Sequence, residues 1–311
     1  MARAAIAGAL LFLAGAMVPL IGPMAMLLTP VPMMLYVVGL PGSWWRTAAV
    51  FGLTAALIGI GGGQAAAGAY AITFGLGSAT MVYMLERRHP FEPIVLCTAG
   101  AMVAAGTLVA LIVTGSPALL AVAMHRDLMT AMEHGEKFYH SIGIEAGLAS
   151  DVRTEVVDAA LRLSPALAVL SAAFTVLIDL GVFWRISGRQ QRLGYMVFGD
   201  LARWSTPDWL IWVLIVAGFG LFIPIPQLAT IALDGFVCVA AVYFCQGLAI
   251  MSFYFKVLTM PPLARGLIYF VTIVQPVLAA LVCAAGVFDL WIDFRRLKPP
   301  SQEARNFGDF L

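Results

Sequence analysis

The sequence is short of charge. Lys, Arg, Asp and Glu make up 11% of its 311 residues, where an ordinary soluble domain carries roughly 25%. So few charges cannot cover a water-exposed surface of this size, so lipid is the solvent for most of the chain. Net charge is +1. With no basic surplus, and no basic run interleaved with aromatics, no nucleic-acid partner is expected. Cysteine is scarce as well: Cys97, Cys238, Cys245 and Cys283 all lie in apolar runs and none forms a C-x-x-C pair. Cys238 and Cys245, spaced i, i+7, share a helix face. All four read as small apolar packing residues and report no redox compartment. Catalytic patterns are missing too. There is no nucleophile elbow and no pair of carboxylates facing a base. The Gly-rich stretch 59–63 lacks the Lys-Ser/Thr of a phosphate loop and reads as a hairpin. The histidines are His89, His125, His134 and His140; Glu133, His134 and His140 are close in sequence but match no metal spacing. No cofactor, no metal and no enzymatic activity are expected.

What the sequence has is hydrocarbon: 61% hydrophobic residues and a mean hydropathy of +0.94. About 20 apolar residues cross a bilayer core as a helix. Such runs occupy 4–22, 24–40, 46–61, 64–85, 92–114, 165–185, 208–223, 227–255 and 266–290. They are too long and too uniformly apolar for barrel strands, and lipid leaves no backbone group unsatisfied. The expected fold is all-α, a polytopic transmembrane bundle of about eight or nine spans. A single domain over 1–298 and a disordered tail at 299–311 are expected. Met1-Ala2-Arg3 followed by an apolar run has the form of a signal peptide, but more spans follow at once, so it reads as an uncleaved first helix.

Boundaries carry physical markers. Ser164-Pro165 is a helix start, with Ser as N-cap and Pro in the first turn. Gly61, Gly62 and Gly63 mark a hairpin, Pro224 and Pro226 an uncharged turn, and Pro261-Pro262 the end of the long eighth run. Orientation follows Lys and Arg in short loops. Arg46, the pair Arg87-Arg88, and Arg185, Arg189, Arg192 and Arg203 mark three loops as cytoplasmic, and Lys256 and Arg265 fall on the same side. The N-terminus is then cytoplasmic. Nine spans leave Arg295, Arg296 and Lys298 outside, against the rule, so one of the runs is not a simple crossing. The second run, with Pro30 and Pro32, and the eighth, with Asp234-Gly235, are the suspects.

Residues 115–163 form the sizeable polar stretch between spans. Two amphipathic helices are expected there outside the membrane, near 117–133 and 151–163. In the second, Val152, Val156, Ala160 and Leu163 share a face, with Arg153 and Asp158 pointing elsewhere.

An ionisable residue inside a span disfavours insertion by at least about 2.5 kcal/mol and is a functional candidate by default. Asp179 and Asp234 are such residues, and Gln246 and Gln275 are uncharged polar residues placed the same way. The functional reading is a polar lining for a small ligand, joined by Thr29 beside the Pro30 break, where freed carbonyls can coordinate. The bland reading is structural, with Arg185 or water neutralising Asp179. Asp289, Asp293, Arg295 and Arg296 cluster at the end of the last run. They read as a membrane anchor with local ion pairs, or as a docking site for a partner. Small residues recur every four positions at Ala67, Ala71, Gly75 and Ala79, and Ala5 and Ala9 do so in the first run. Such stripes pack helices within a bundle or dock a partner subunit.

Three passages carry a resemblance: 28–32, running into Gly39 and Gly42; Gln246-Gly247-Leu248-Ala249; and 286–296, from Gly286 through Asp289, Trp291 and Asp293 to Arg295 and Arg296. In order and placement they resemble the YybS-like family of bacterial predicted membrane proteins, a domain of unknown function. That family is distantly similar to the substrate-binding S components of energy-coupling-factor transporters. The resemblance implies small-residue docking onto a transmembrane coupling subunit through the first helix, where Ala5 and Ala9 stand, with a separate ATPase. The expected function is a small-molecule binding or transport subunit. The alternative is a non-catalytic scaffold among envelope proteins.

Overall fold

A computed structural model describes residues 1–17, 22–38, 40, 43–141, 150–187 and 201–295. Among the described residues there are helices, turns and no strand. They fall into two compact units, Met1–Val197 and Phe198–Leu311. Four helical runs are long and apolar enough to cross a membrane, or five if one bent pair counts as a single span. Shorter apolar helices accompany them at Ala2–Gly15, Met24–Val37 and Leu210–Gly220. Several of the expected eight or nine spans are therefore short apolar helices. Residues 299–311, Gly39, Gly42, Arg189, Arg192, Arg296 and Lys298 lie outside the described residues.

In the first unit, α1 (Ala2–Met17), α2 (Gly22–Leu27) and α3 (Val31–Val37) are followed by α4 (Ser43–Tyr70), a π-helical turn (Ala71–Gly75) and α5 (Leu76–Glu86). Alpha-helical geometry fails inside α4 at Gly63, where φ is +86° and ψ 169°. That region is open to glycine almost alone. The chain doubles back there, as the Gly-rich stretch predicts. A Cβ on Gly59 would sit 3.5 Å from the Ala67 methyl, and the Phe51 ring fills the space a Cβ on Gly75 would need. Phe51 also stacks on Tyr70, with centroids 6.0 Å apart. The small stripe through Ala67 and Gly75 is thus taken up by the hairpin's own first arm. Ala9 and Phe12 of α1 pack against the hairpin with Ile58 and Tyr70.

The rest of this unit is α6 (Phe91–Thr114), α7 (Pro117–Ser141), α8 (Ser150–Arg162) and α9 (Ser164–Ser187). Gly115 ends α6 in the left-handed conformation, φ +79°. Ser116 Oγ then accepts from the Leu119 amide at 3.2 Å and caps α7. The two amphipathic helices form as predicted, but α7 runs eight residues beyond its expected end. Arg153 of α8 donates to both carboxylate oxygens of Glu136 at 2.7 Å, near that end. This pair corrects the expected apolar face of α8. Val157, one turn after Arg153, is buried, whereas Val152 and Val156 are 43% and 46% exposed.

The second unit contains a short 3-10 turn (Leu201–Arg203), α10 (Leu210–Gly220), α11 (Pro226–Val257), α12 (Pro262–Val274) and α13 (Pro276–Ile292). Helices α10 and α11 are antiparallel: a Cβ on Gly220 would meet Ala232 at 2.7 Å, and Ile211 shares a core with Val239 and Tyr243. Helices α11 and α13 are parallel. Cys283 Sγ donates to the Ala240 carbonyl at 3.3 Å, Gln246 bonds Asp289 at 3.0 Å, and Tyr254 Oη donates to the Phe294 carbonyl at 3.0 Å.

This parallel pair corrects the single span expected over 266–290. The run is two helices bent by 101°. Pro276 lacks an amide donor and forces Gln275 out of the helical region, to φ −96° and ψ 108°. Two parallel helices joined by α12 require the chain to return between them. Arg295 therefore ends beside the 201–206 segment, at the Lys256 end of α11. Within this unit the cations collect at one end, which removes the conflict that a single span created.

Gly63→Val should strain the hairpin by about 1–3 kcal/mol. Gly68→Ala, in open space with ordinary φ, should be neutral. Heating the detergent-solubilised protein and following the soluble monodisperse fraction would separate the two. Equal behaviour of both variants would contradict a glycine-specific reversal at position 63.

Candidate functional site

Polar side chains inside an apolar bundle are either satisfied by the chain or left for something else. The two units differ in this respect. In the second unit a connected network pairs most of the buried polar groups, leaving Arg295 Nε and Tyr243 Oη without a hydrogen-bond partner among the described residues. Gln246 Oε1 accepts from the amide and the hydroxyl of Thr206, and Gln246 Nε2 donates to Asp289 Oδ2 at 3.0 Å. Arg295 donates to the same Oδ2 at 2.7 Å, and to the Ala202 and Trp204 carbonyls at 3.0 and 2.8 Å. Asp289 Oδ1 takes the Phe294 amide at 3.0 Å. This local geometry needs Asp293 in the left-handed conformation, φ 47°, so that the chain folds back over the end of α13. Gln246, Asp289 and Arg295 are all buried.

Glycine brings these groups together. A Cβ on Gly247 would collide with the Val282 carbonyl, and one on Gly286 with the Tyr243 carbonyl. Backbone contact of this kind lets two parallel helices approach closely enough for a Gln and an Asp to pair. Trp209, Trp212 and Trp291 are exposed around the same end of the unit. Exposed Trp is enriched at the headgroup level of a bilayer.

The remaining polar residues of this unit stand apart from the network. Asp234 is half-buried on α11. Gln275 is exposed at the α12–α13 break, beside a groove of about 510 Å³ lined by Phe270, Val271, Val274, Val277 and Leu278. The lining is apolar apart from Gln275 itself.

The first unit holds the opposite case. Asp179 on α9 is 0% exposed, and neither carboxylate oxygen has a hydrogen-bond partner among the described residues. Arg185, its nearest cation along the helix, is exposed, and no ion pair joins the two. On α6, Thr98 is also 0% exposed, and its hydroxyl has no partner among the described residues. Thr29 is buried where α2 gives way to α3 and satisfies itself by donating to the Met26 carbonyl at 2.6 Å. Ala5 and Ala9 are buried against the chain's own helices.

The structure thus joins Gln246, Asp289 and Arg295, which the sequence divides between ligand binding and docking. Thr206, Gly247 and Gly286 complete that cluster. Its signal was present in Gly247 following Gln246, and in Gly286 three residues before Asp289. Thr98 was missed because a threonine in a span is ordinary.

Apolar helical runs, an exposed Trp level and buried polar groups define an all-helical membrane-type protein. The chain belongs to the family described as Predicted membrane protein (DUF2232), whose model matches residues 6–290. No curated protein and no solved structure matches it.

The network makes a sharp stability prediction. Asp289→Ala leaves the Arg295 guanidinium buried without its carboxylate, which should destabilise by about 3–5 kcal/mol. Asp289→Ala combined with Arg295→Met removes the orphaned charge and should recover much of that loss. Thermal unfolding in detergent of both variants and the native chain tests this. A double variant less stable than Asp289→Ala would mean that Arg295 is held by its carbonyl contacts alone.

Proposed function

We propose that this protein is a small-molecule binding or transport subunit of a bacterial inner membrane, with Asp179 as the polar point of its site. The observation that carries this is the buried carboxylate, without a partner among the described residues, in a membrane-length helix. An unpaired polar group in the interior costs several kcal/mol. Strain of this kind persists where it is used, and intramembrane carboxylates mark ligand and ion pathways. The resemblance to S components points the same way. Without a phosphate loop in the sequence, powered transport needs a separate ATPase and a coupling subunit. The cations at the Arg203–Lys256–Arg295 end of the second unit fit a cytoplasmic position, as does a cytoplasmic N-terminus. A scaffold would draw on the charged C-terminal cluster, where Asp289 and Arg295 are turned inward; Ala5 and Ala9 are buried as well, so docking of a coupling subunit would use other residues of the first helix.

Two measurements test the reading. Asp179→Leu should raise the unfolding temperature, through a gain of about 1–3 kcal/mol from removing an unsatisfied group, while abolishing the phenotype that the native gene complements. Loss of stability in Asp179→Leu and in Asp179→Asn alike would make the residue structural. Affinity purification in mild detergent should bring down a stoichiometric ATPase and a transmembrane coupling subunit. Recovery of envelope-synthesis proteins without an ATPase would favour the scaffold.

A further inference from the structure

A break inside an apolar helix is costly in lipid, because a backbone group that loses its helical partner finds no water there. The α12–α13 junction is such a break. The Thr272 carbonyl would take its helical bond from residue 276, and Pro276 has no N–H to give. The 101° bend then parts the next two pairs. Among the described residues no hydrogen bond joins the Val277 amide to the Ile273 carbonyl, or the Leu278 amide to the Val274 carbonyl. The bonds on either side survive: the Gln275 amide donates to the Val271 carbonyl at 2.9 Å, and the Ala279 amide to the Gln275 carbonyl at 3.0 Å. No side chain caps the start of α13.

The apolar groove of the second unit lies on this break. Val274, Val277 and Leu278, which carry severed backbone groups, line it together with Phe270, Val271 and Gln275. Its volume of about 510 Å³ falls within the roughly 300–1,000 Å³ of small-molecule sites. Gln275 brings a carboxamide, which both donates and accepts. No charged side chain lines the groove.

The surroundings decide what reaches it. Helix α12 is amphipathic with its apolar face turned outward. Leu263, Leu267, Phe270 and Val274 share that face and are 87, 62, 63 and 60% exposed. On the rest of the helix Thr272 is buried, Tyr269 packs on Phe255 with ring centroids 5.2 Å apart, and Arg265 donates to the Met260 carbonyl at 2.7 Å. The exposed stripe continues into Val277 and Leu281 of α13. A contiguous apolar face of this kind marks contact with a membrane. Two walls of the groove, Phe270 and Val274, belong to it, so the occupant enters from the bilayer.

We propose that the α12–α13 break binds an uncharged membrane lipid with a free hydroxyl, of the diacylglycerol kind. Its chain lies along the apolar lining and its head at Gln275. This goes beyond the reading of Asp179, since it is a second site and belongs to the other unit. Severed amides need an acceptor and severed carbonyls a donor, and a hydroxyl supplies both. A charged head would give up its water in a groove with no counter-charge, which costs far more than burying a hydroxyl. The same argument rejects a fatty acid carboxylate and the phosphate of an ordinary phospholipid.

The test is photolabelling of the full-length protein in dioleoylphosphatidylcholine vesicles doped with a diazirine-tagged dioleoylglycerol. Fragmentation mass spectrometry places the label along α12 and α13. The label should concentrate on 270–278, and unlabelled dioleoylglycerol should displace it where an equal amount of oleic acid does not. Val274→Trp fills the groove from an exposed position and should abolish that labelling. Leu263→Trp, on the same face but outside the groove, should keep it. Gln275→Leu should weaken displacement by dioleoylglycerol about three- to tenfold. Label spread evenly from Leu263 to Leu281 would overturn the proposal, because the lipid would then be ordinary bilayer solvent. Labelling that survives Val274→Trp would overturn it as well. Displacement by oleic acid as strong as by dioleoylglycerol would overturn the uncharged head. Each outcome is read without reference to Asp179 or to a transport phenotype.

Discussion

Hydrocarbon gives a polar group no solvent to fall back on, and the whole structure is arranged around that constraint. Most buried hydroxyls return to their own helix, as Thr54 and Thr175 do. The second unit solves the harder problem of charge. Its buried Asp289–Arg295 pair survives because each group is surrounded by further partners: Gln246, the Phe294 amide and two carbonyls of the 201–206 segment. A buried ion pair is weak evidence of stability by itself. Here it fixes where the segment before α10 and the end of α13 must lie.

The same constraint isolates Asp179. Its burial is as complete as that of Arg295, yet none of its oxygens is satisfied among the described residues. In one chain, one buried carboxylate is answered three times over by its own protein and the other is left open among the described residues. The first belongs to architecture. The second is the residue on which the proposed site rests.

Backbone chemistry sets the topology. Gly63 reverses the chain because its dihedrals are closed to other residues. Pro276 breaks the last apolar run because it removes a donor. Both signals are visible in the sequence, but only the glycines stood out there, as a triplet. A single proline in a long apolar run is also what a gently kinked span contains, and the 101° bend could be known only from the way α13 lies parallel to α11. The passages that carry the family resemblance, around Gln246 and around 286–296, owe their placement to each other: they meet in space.

Composition alone determined the solvent, because 11% charge cannot face water over this surface. Periodicity and length determined that the chain is helical, and Ser164-Pro165 and the triple glycine placed their boundaries to within a residue or two. Asp179 was visible as an anomaly because a charge in a span is costly wherever it points. What only the tertiary structure decided is which polar groups have partners. Gln246 and Asp289 are 43 residues apart, and their pairing depends on two glycines meeting across a helix interface. The orphaning of Thr98 depends on a side-chain orientation that no local pattern specifies. Satisfaction of a buried polar group is a property of its neighbours in space, and the sequence lists only its neighbours along the chain.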